Sequence, residues 1–229
     1  MSTEPATSSD RAALELVTLA KEIASCALCD LSSTRTQTVP GEGSPTASVV
    51  FVGEAPGARE DRTGRPFAGA SGRLLDDLLA SIAMRRTDVY IVNTVKCRPP
   101  DNRNPRPAEI AACAPFLERQ LRQIQPRVIA TLGRFALSVF APEAQLGEVH
   151  GRPFAQTLGP ILHGATLFPL YHPAAALHNG SLRPTLERDM AALGAFMAML
   201  PRDVAGEATL RQADSGSHGS GATRGGEAE

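Results

Sequence analysis

The stretch ASVVFVGEAPG (47–57) decides the fold. Residues 47–52 are apolar with no polar alternation, the pattern of a short strand covered on both faces. Two glycines and a proline follow within five residues, GEAPG (53–57), so the strand ends in a tight, stiff turn with exposed backbone N–H groups. Downstream the same alternation repeats. A helix is predicted over 71–84, with Leu74, Leu75, Leu78, Leu79 and Ile82 on one side, then a strand over 88–95 (DVYIVNTV). A helix over 107–125 opens with proline, and a strand over 127–132 (RVIATL) leads into a short helix over 133–140. Residues 147–164 read as a hairpin or irregular excursion. A strand over 166–171 (TLFPLY) carries Pro169, the mark of a sheet edge or strand end, and a helix over 183–200 closes the series. Upstream, 10–25 reads as an amphipathic helix with Leu14, Val17, Ile23 and Ala24 on one face, and 30–46 as an extended loop. Strands alternating with helices imply right-handed crossovers. The expectation is one α/β domain, a four-stranded, mostly parallel sheet flanked by helices. In such sheets a ligand sits beyond the carboxyl ends of the strands. The segments 53–57, 93–97 (NTVKC) and 171–175 (YHPAA) therefore converge on one crevice.

A chain of 229 residues, 42% hydrophobic, is long enough for one such domain with a sizeable core. No run of 18 apolar residues occurs, which excludes a helical membrane span. The first residues, MSTEPATSSD, lack the basic and apolar regions of a signal peptide. The expected compartment is the cytoplasm, where disulfides are rare. The net charge is −1, and the segment 202–229 holds three Arg and five acidic residues, leaving the remainder at +1. Any nucleic-acid binding must then use a local basic patch. Residues 1–9 read as a disordered leader, 10–200 as the domain, and 201–229, rich in Gly, Ser and Ala, as a disordered tail. A monomer is the default.

The chain has four cysteines, Cys26, Cys29, Cys97 and Cys113, spaced C-x2-C and C-x15-C with none left over. Four soft thiolates suit a tetrahedral zinc or a [4Fe–4S] cluster. Structural zinc typically uses two tight pairs, so the wide second pair leans to the cluster. Such a centre would tie the N-terminal helix into the domain.

Other residues carry chemistry by type and place. Glu54 leaves the first strand, where a carboxylate is costly unless used or paired; Glu60 and Asp61 follow. Phe67 sits in the stiff loop GRPF (64–67), as a core anchor or as a platform for a stacked base. Ser71 and Arg73 open a helix, where they could hold a phosphate or Ser71 could cap. Asn93, in an otherwise apolar strand, must find hydrogen-bond partners or read the edge of a base. The loop KCRPPDNRNPRP (96–107) supplies Lys96, Arg98, Arg103 and Arg106 as a basic patch. His172 ends the last strand before a proline and faces the same crevice as Glu54 and Asn93.

Taken in order, GEAPG, ED, GRPF-x-G-x-SGRLL, N-x-VKCRPP-x-NR-x-P and HPAAxL resemble the family 4, iron–sulfur uracil-DNA glycosylases, from about residue 26 to 200. The resemblance implies a [4Fe–4S] cluster on the four cysteines with a structural role, and hydrolysis of the N-glycosidic bond of deoxyuridine in DNA. It implies that flipped uracil stacks on Phe67 and that Asn93 reads its pyrimidine edge. His172 would stabilise charge developing on O2, and Glu54 with the backbone of the 53–57 turn, Ala55 included, would position the attacking water. Gly57 stands where other branches of the superfamily carry a bulky residue against thymine's methyl, Glu60 would help exclude thymine instead, and Leu177 would wedge into the base stack. Base flipping has this logic: extrusion costs a few kcal/mol and the pocket reads the Watson–Crick edge. Ser71, Arg73, Arg98 and Arg103 are the expected DNA contacts. Cys97 stands where covalently trapping relatives carry histidine, which argues against trapping.

Overall fold

The apolar run of 49–53 forms the central strand of the sheet, and all five of its residues are buried. The computed structural model describes residues 7–154 and 164–201. The expected leader up to residue 6, the tail from 202 and part of the 147–164 excursion lie outside the described residues. The described residues up to Met197 belong to one compact unit. Its elements in order are α1 (Ser8–Ala24), β1 (Glu42–Gly43), β2 (Val49–Gly53), α2 (Ala58–Thr63), α3 (Ala70–Ser81) and β3 (Tyr90–Asn93). Then come α4 (Pro107–Ile124), β4 (Val128–Leu132), α5 (Arg134–Phe140), α6 (Leu146–Val149), β5 (Thr166–Leu170), α7 (Pro173–His178) and α8 (Arg183–Met199).

The sheet order is β1-β3-β2-β4-β5. β3, β2, β4 and β5 run parallel, with Phe51 opposite Ile91 and Ala130, and Ile129 opposite Leu167. The expected count of four strands needs correction to five. Glu42 and Gly43 add an antiparallel edge against Ile91 and Tyr90. Two residues inside a Pro/Gly/Ser-rich loop have no period to read. β5 lies at the opposite edge, as its proline requires.

Side chains alternate across the sheet. Val50, Val52, Tyr90, Val92, Ile129 and Leu167 pack under Leu117, Leu121 and Ile124 of α4 and Ala136 and Leu137 of α5. On the other face Phe168 meets Phe196 of α8, ring centroids 5.9 Å apart. α1 departs from its expected face. Leu14 and Val17 are 68% and 53% exposed, while Ala12, Leu19 and Ile23 are buried and Leu16 packs on the core. The helix begins at Ser8 because Thr7 caps it: Thr7 Oγ1 accepts from Asp10 N, and Asp10 Oδ2 accepts from Thr7 N, each at 3.1 Å. Ion pairs from Arg119 to Glu22 and Glu15 hold α1 against α4.

Candidate active site

The carboxyl ends of β2, β3 and β5 deliver their loops to one cleft of about 620 Å³. Glu54, Ala55, Gly57, Glu60, Phe67, Ser71, Asn93, Arg103 and His172 line it. The exits of β2 and β3 are tied together: Thr94 N and Oγ1 donate to the Gly53 carbonyl at 2.9 and 3.0 Å, and Val95 N to the Glu54 carbonyl at 3.2 Å. Gly133 N donates to the Leu170 carbonyl at 2.8 Å, fixing the end of β5 from which His172 follows.

The floor depends on Gly53 and Gly72, which the sequence places in a turn and at a helix start without showing what packs on them. A Cβ on Gly53 would stand 2.3 Å from Asn93 Oδ1 and 2.8 Å from the Phe67 ring. A Cβ on Gly72 would stand 1.6 Å from the Phe67 carbonyl oxygen. Both side chains that face the cleft thus rest directly on backbone. Phe67 is buried and holds φ of 50°, a left-handed conformation rare for a bulky residue and typical of sites where the surroundings over-determine the backbone. Arg86 supplies part of that restraint. It pairs with Glu42 and with Asp76 (2.9 Å), and donates to the carbonyl of Pro66, the residue before Phe67.

Asn93 is buried, and its Oδ1 has no hydrogen-bond partner among the described residues. A buried polar atom without a partner is expensive; at the edge of a cleft it marks a place for a ligand's polar edge. His172 opens partly onto the cleft but is otherwise packed deep in protein. Desolvation pulls its pKa down to about 4, against an opposing pull from the Glu60 charge. Its Nδ1 accepts from Ala174 N at 3.1 Å. The neutral ring's proton is therefore on Nε2, which is left as a donor. Desolvation raises the pKa of half-buried Glu54 above the usual carboxylate range, and the Arg134 charge opposes it.

Glu60 is a staple: Oε2 accepts from Gly57 N at 3.1 Å and Oε1 from Gly69 N at 2.9 Å. A Cβ at Gly57 would stand 2.8 Å from Glu60 Oε2, so the carboxylate fills the space a side chain there would take. Asp61 is buried and accepts from Thr36 N at 2.9 Å, a structural role. Gly69, not Ser71, caps α3, so the capping reading of Ser71 falls away and its hydroxyl is left to the cleft.

The expected basic patch is reorganised. Lys96 is not on the surface: it is 1% exposed, and its Nζ donates to the Asn93 carbonyl at 2.7 Å. Burial pulls its pKa down to about 8, with Cys113 and Cys97 acting in the other direction. Arg103 forms a fork on buried Glu109, at 2.9 and 2.6 Å, and its hydrogen bonds hold that carboxyl below its ordinary range. Arg98 donates to Asn102 Oδ1 at 2.8 Å. Arg73 is exposed on α3, and Leu177 stands 51% exposed near the end of α7, outside the cleft lining.

All four cysteines are free and line one pocket beside the cleft, with Ile23, Leu28, Arg35, Lys96 and Phe116. Among the described residues no three His, Cys, Asp or Glu side chains group closely enough to hold a single metal ion. Four thiols in the lining of one pocket are a donor set for a metal centre. Burial pushes the Cys97 and Cys113 thiols up, while Arg35 Nη1, donating to Cys97 Sγ at 3.2 Å, pulls Cys97 the other way.

Fold and site together define a class, and comparison with known proteins agrees: residues 40–192 match the family model of the uracil DNA glycosylase superfamily. The chain is 46% identical over 182 residues to a type-4 uracil-DNA glycosylase of Archaeoglobus fulgidus, covering 77% of this chain and 90% of that one. It is 45% identical over 170 residues to the Thermotoga maritima type-4 enzyme, 73% of this chain and 86% of that one. A type-5 uracil-DNA glycosylase of Thermus thermophilus is 39% identical over 142 residues, 56% and 61% of the two chains. The chain belongs to the type-4 uracil-DNA glycosylase family. Among the described residues no helix is long and apolar enough to cross a membrane.

Proposed function

We propose that the protein hydrolyses the N-glycosidic bond of deoxyuridine in DNA, releasing uracil and leaving an abasic site for repair. The observation that carries this reading is the cleft itself. One orphaned amide, one neutral histidine with a free Nε2 donor, one carboxylate raised by desolvation and one aromatic ring held in a strained backbone share a single wall. Each answers a need of the reaction. Uracil taken out of the stack lies on Phe67, an interaction worth roughly 1–3 kcal/mol per base. The Asn93 amide offers donor and acceptor side by side to O4 and N3–H, a pattern cytosine does not present. As the bond to the sugar breaks, negative charge gathers on the base, and His172 Nε2–H donates to O2 in a setting where water is largely excluded. A neutral imidazole does this without first gaining a proton.

Glu54 receives the water. A carboxylate whose pKa desolvation raises is a better base than one in bulk solvent. The turn that carries it is held by the Glu60 staple, and the same carboxylate closes the wall next to Gly57 against a 5-methyl group. Leu177, apolar and exposed, is placed to fill the gap left by the extruded base. Cys26, Cys29, Cys97 and Cys113 hold a [4Fe–4S] cluster, which supplies structural bracing when bound: it ties the end of α1 to the segment between β3 and α4.

The test is incubation of the full chain with a uracil-containing oligonucleotide, followed by hot alkali. Strand cleavage at uracil, absent from a thymine control, is the expected result. Intact strands from iron-replete, folded protein sink the proposal.

A further inference from the structure

We propose that Lys96 is a positioning residue shared by the cysteine pocket and the cleft, a role that rests on the reading of both sites given above. The side chain is sealed from solvent, and its Nζ donates to the Asn93 main-chain carbonyl at 2.7 Å. The same side chain lines the pocket of the four cysteines, and its main chain hydrogen-bonds Cys113. A buried ammonium needs an opposite charge. Among the described residues no carboxylate lies within ion-pair distance of it. The groups beside it that become anionic when they ligate are the Cys97 and Cys113 thiols.

Those thiolates exist when the centre is bound, because four thiolates outweigh the positive charge of a cluster core and leave the whole anionic. Lys96 then stands between that anion and the carbonyl of the residue that reads the base. Arg35 supplies the matching contact on the far side, donating to Cys97 Sγ and to the Ala24 carbonyl at the end of α1. One side chain thereby borders the cysteine pocket and fixes the carbonyl of the residue that reads the base. The structural role of the centre extends to specificity, through one lysine.

The experiment compares full-length Lys96→Met and Lys96→Arg with the wild type, all reconstituted anaerobically. Iron release to a chelator is followed by visible absorbance, and kcat and KM are measured on a uracil-containing single strand. Lys96→Met removes the charge at nearly constant length. It is expected to release iron 10–100-fold faster, the usual range for a lost outer partner of a metal centre, and to raise KM. Lys96→Arg keeps the charge but cannot place one compact ammonium at the carbonyl. It should retain iron like the wild type while KM rises. Leu137→Ala, in the core cluster under α5, lowers Tm and serves as the control for general destabilisation. Iron release from Lys96→Met within about twofold of wild type, equal acceleration in Leu137→Ala, or an unchanged KM in Lys96→Arg overturns the proposal. If Lys96→Met does not fold, the KM of Lys96→Arg decides. Wild-type protein that holds no iron or excises no uracil overturns the reading of the sites, and the proposal with it. Wild type that does both, matched by Lys96→Met, overturns the role of Lys96 alone.

Discussion

The ring of Phe67 lies 5.4 Å from the ring of His172, their planes 25° apart. Offset aromatic pairs at this separation are attractive by about 0.5–1.5 kcal/mol. The contact joins two loops far apart in sequence, one leaving α2 and one leaving β5. It also places the stacking platform and the charge-stabilising donor side by side, so a base on the first presents its edge to the second.

Phe67 keeps its place at the cost of a left-handed backbone, and Arg86 is what holds the loop there. Its guanidinium reaches Glu42, Asp76 and the Pro66 carbonyl together. Arg86→Ala should lower kcat/KM roughly tenfold, with the larger share in KM, because platform geometry is lost before chemistry is. Arg86→Lys should not restore it, since one ammonium cannot serve three acceptors in a plane. A double-mutant cycle with Phe67→Leu checks the route. Fully additive effects would show that Arg86 acts elsewhere.

His172 makes a pH prediction with a definite sign. Its folded pKa of about 4 lies below the ordinary 6.5, so the folded protein binds fewer protons than the unfolded chain between those values. The contribution is whole above pH 6.5 and is lost as pH falls towards 4, by as much as about 3 kcal/mol. His172→Gln should flatten the acid slope of Tm in that window while nearly abolishing uracil release. The acid limb of kcat in the wild type then belongs to Glu54, displaced upward from the usual carboxylate range. Glu54→Gln removes that limb. A histidine-like limb near pH 6.5 that survives Glu54→Gln contradicts the assignment.

Most of the sheet and the converging loops were legible because parallel strands are buried on both faces and read as unbroken apolar runs. The same logic brought Glu54, Asn93 and His172 to one cleft. Three features were not legible. β1 is two residues long and is held by pairing alone. α1 turned by one register, since Leu14 and Val17 are as apolar as Leu16 and Leu19 and only α4 decides between them. Lys96 read as surface charge because a lysine in a Pro- and Arg-rich loop usually is. Only the carbonyl of Asn93 and the cysteines around it, distant in sequence or set by the chain's turn, make burial tolerable. Gly53 was legible as part of a turn but not as a packing floor, although a glycine closing a buried strand often marks close approach of another group.

That glycine supports a prediction paired with Asn93. Gly53→Ala puts a methyl 2.3 Å from Asn93 Oδ1 and 2.8 Å from Phe67, so both side chains must move. Uracil release should fall by roughly 100-fold or more, comparable to removing a transition-state hydrogen bond, while the sheet still forms. Asn93→Ala should match that loss yet leave Tm unchanged or higher, because an unpartnered buried amide oxygen disappears. Far-UV circular dichroism and thermal melts separate the two effects. A large drop in Tm for Asn93→Ala would make the amide a structural strap.

Arg103 and Arg73 were expected to do the same thing, and the structure separates them. Arg103 is neutralised by a two-point fork on Glu109, whose carboxylate also accepts from Arg106 N at 2.7 Å. Its charge is already spent on holding the first turn of α4. Arg73 is exposed on α3, two residues beyond Ser71 at the cleft edge. Each phosphate contact contributes close to one unit to the slope of log K against log salt. For binding of a uracil-free oligonucleotide, Arg73→Ala should reduce that slope by about one and weaken binding alike for all sequences. Arg103→Ala should leave the slope nearly unchanged. It should instead lower Tm by leaving Glu109 buried and unpaired, a loss of several kcal/mol in comparable buried pairs but smaller here because Arg103 is partly exposed. A reduced salt slope in Arg103→Ala at unchanged Tm would reverse the assignment and return Arg103 to the DNA-contacting surface.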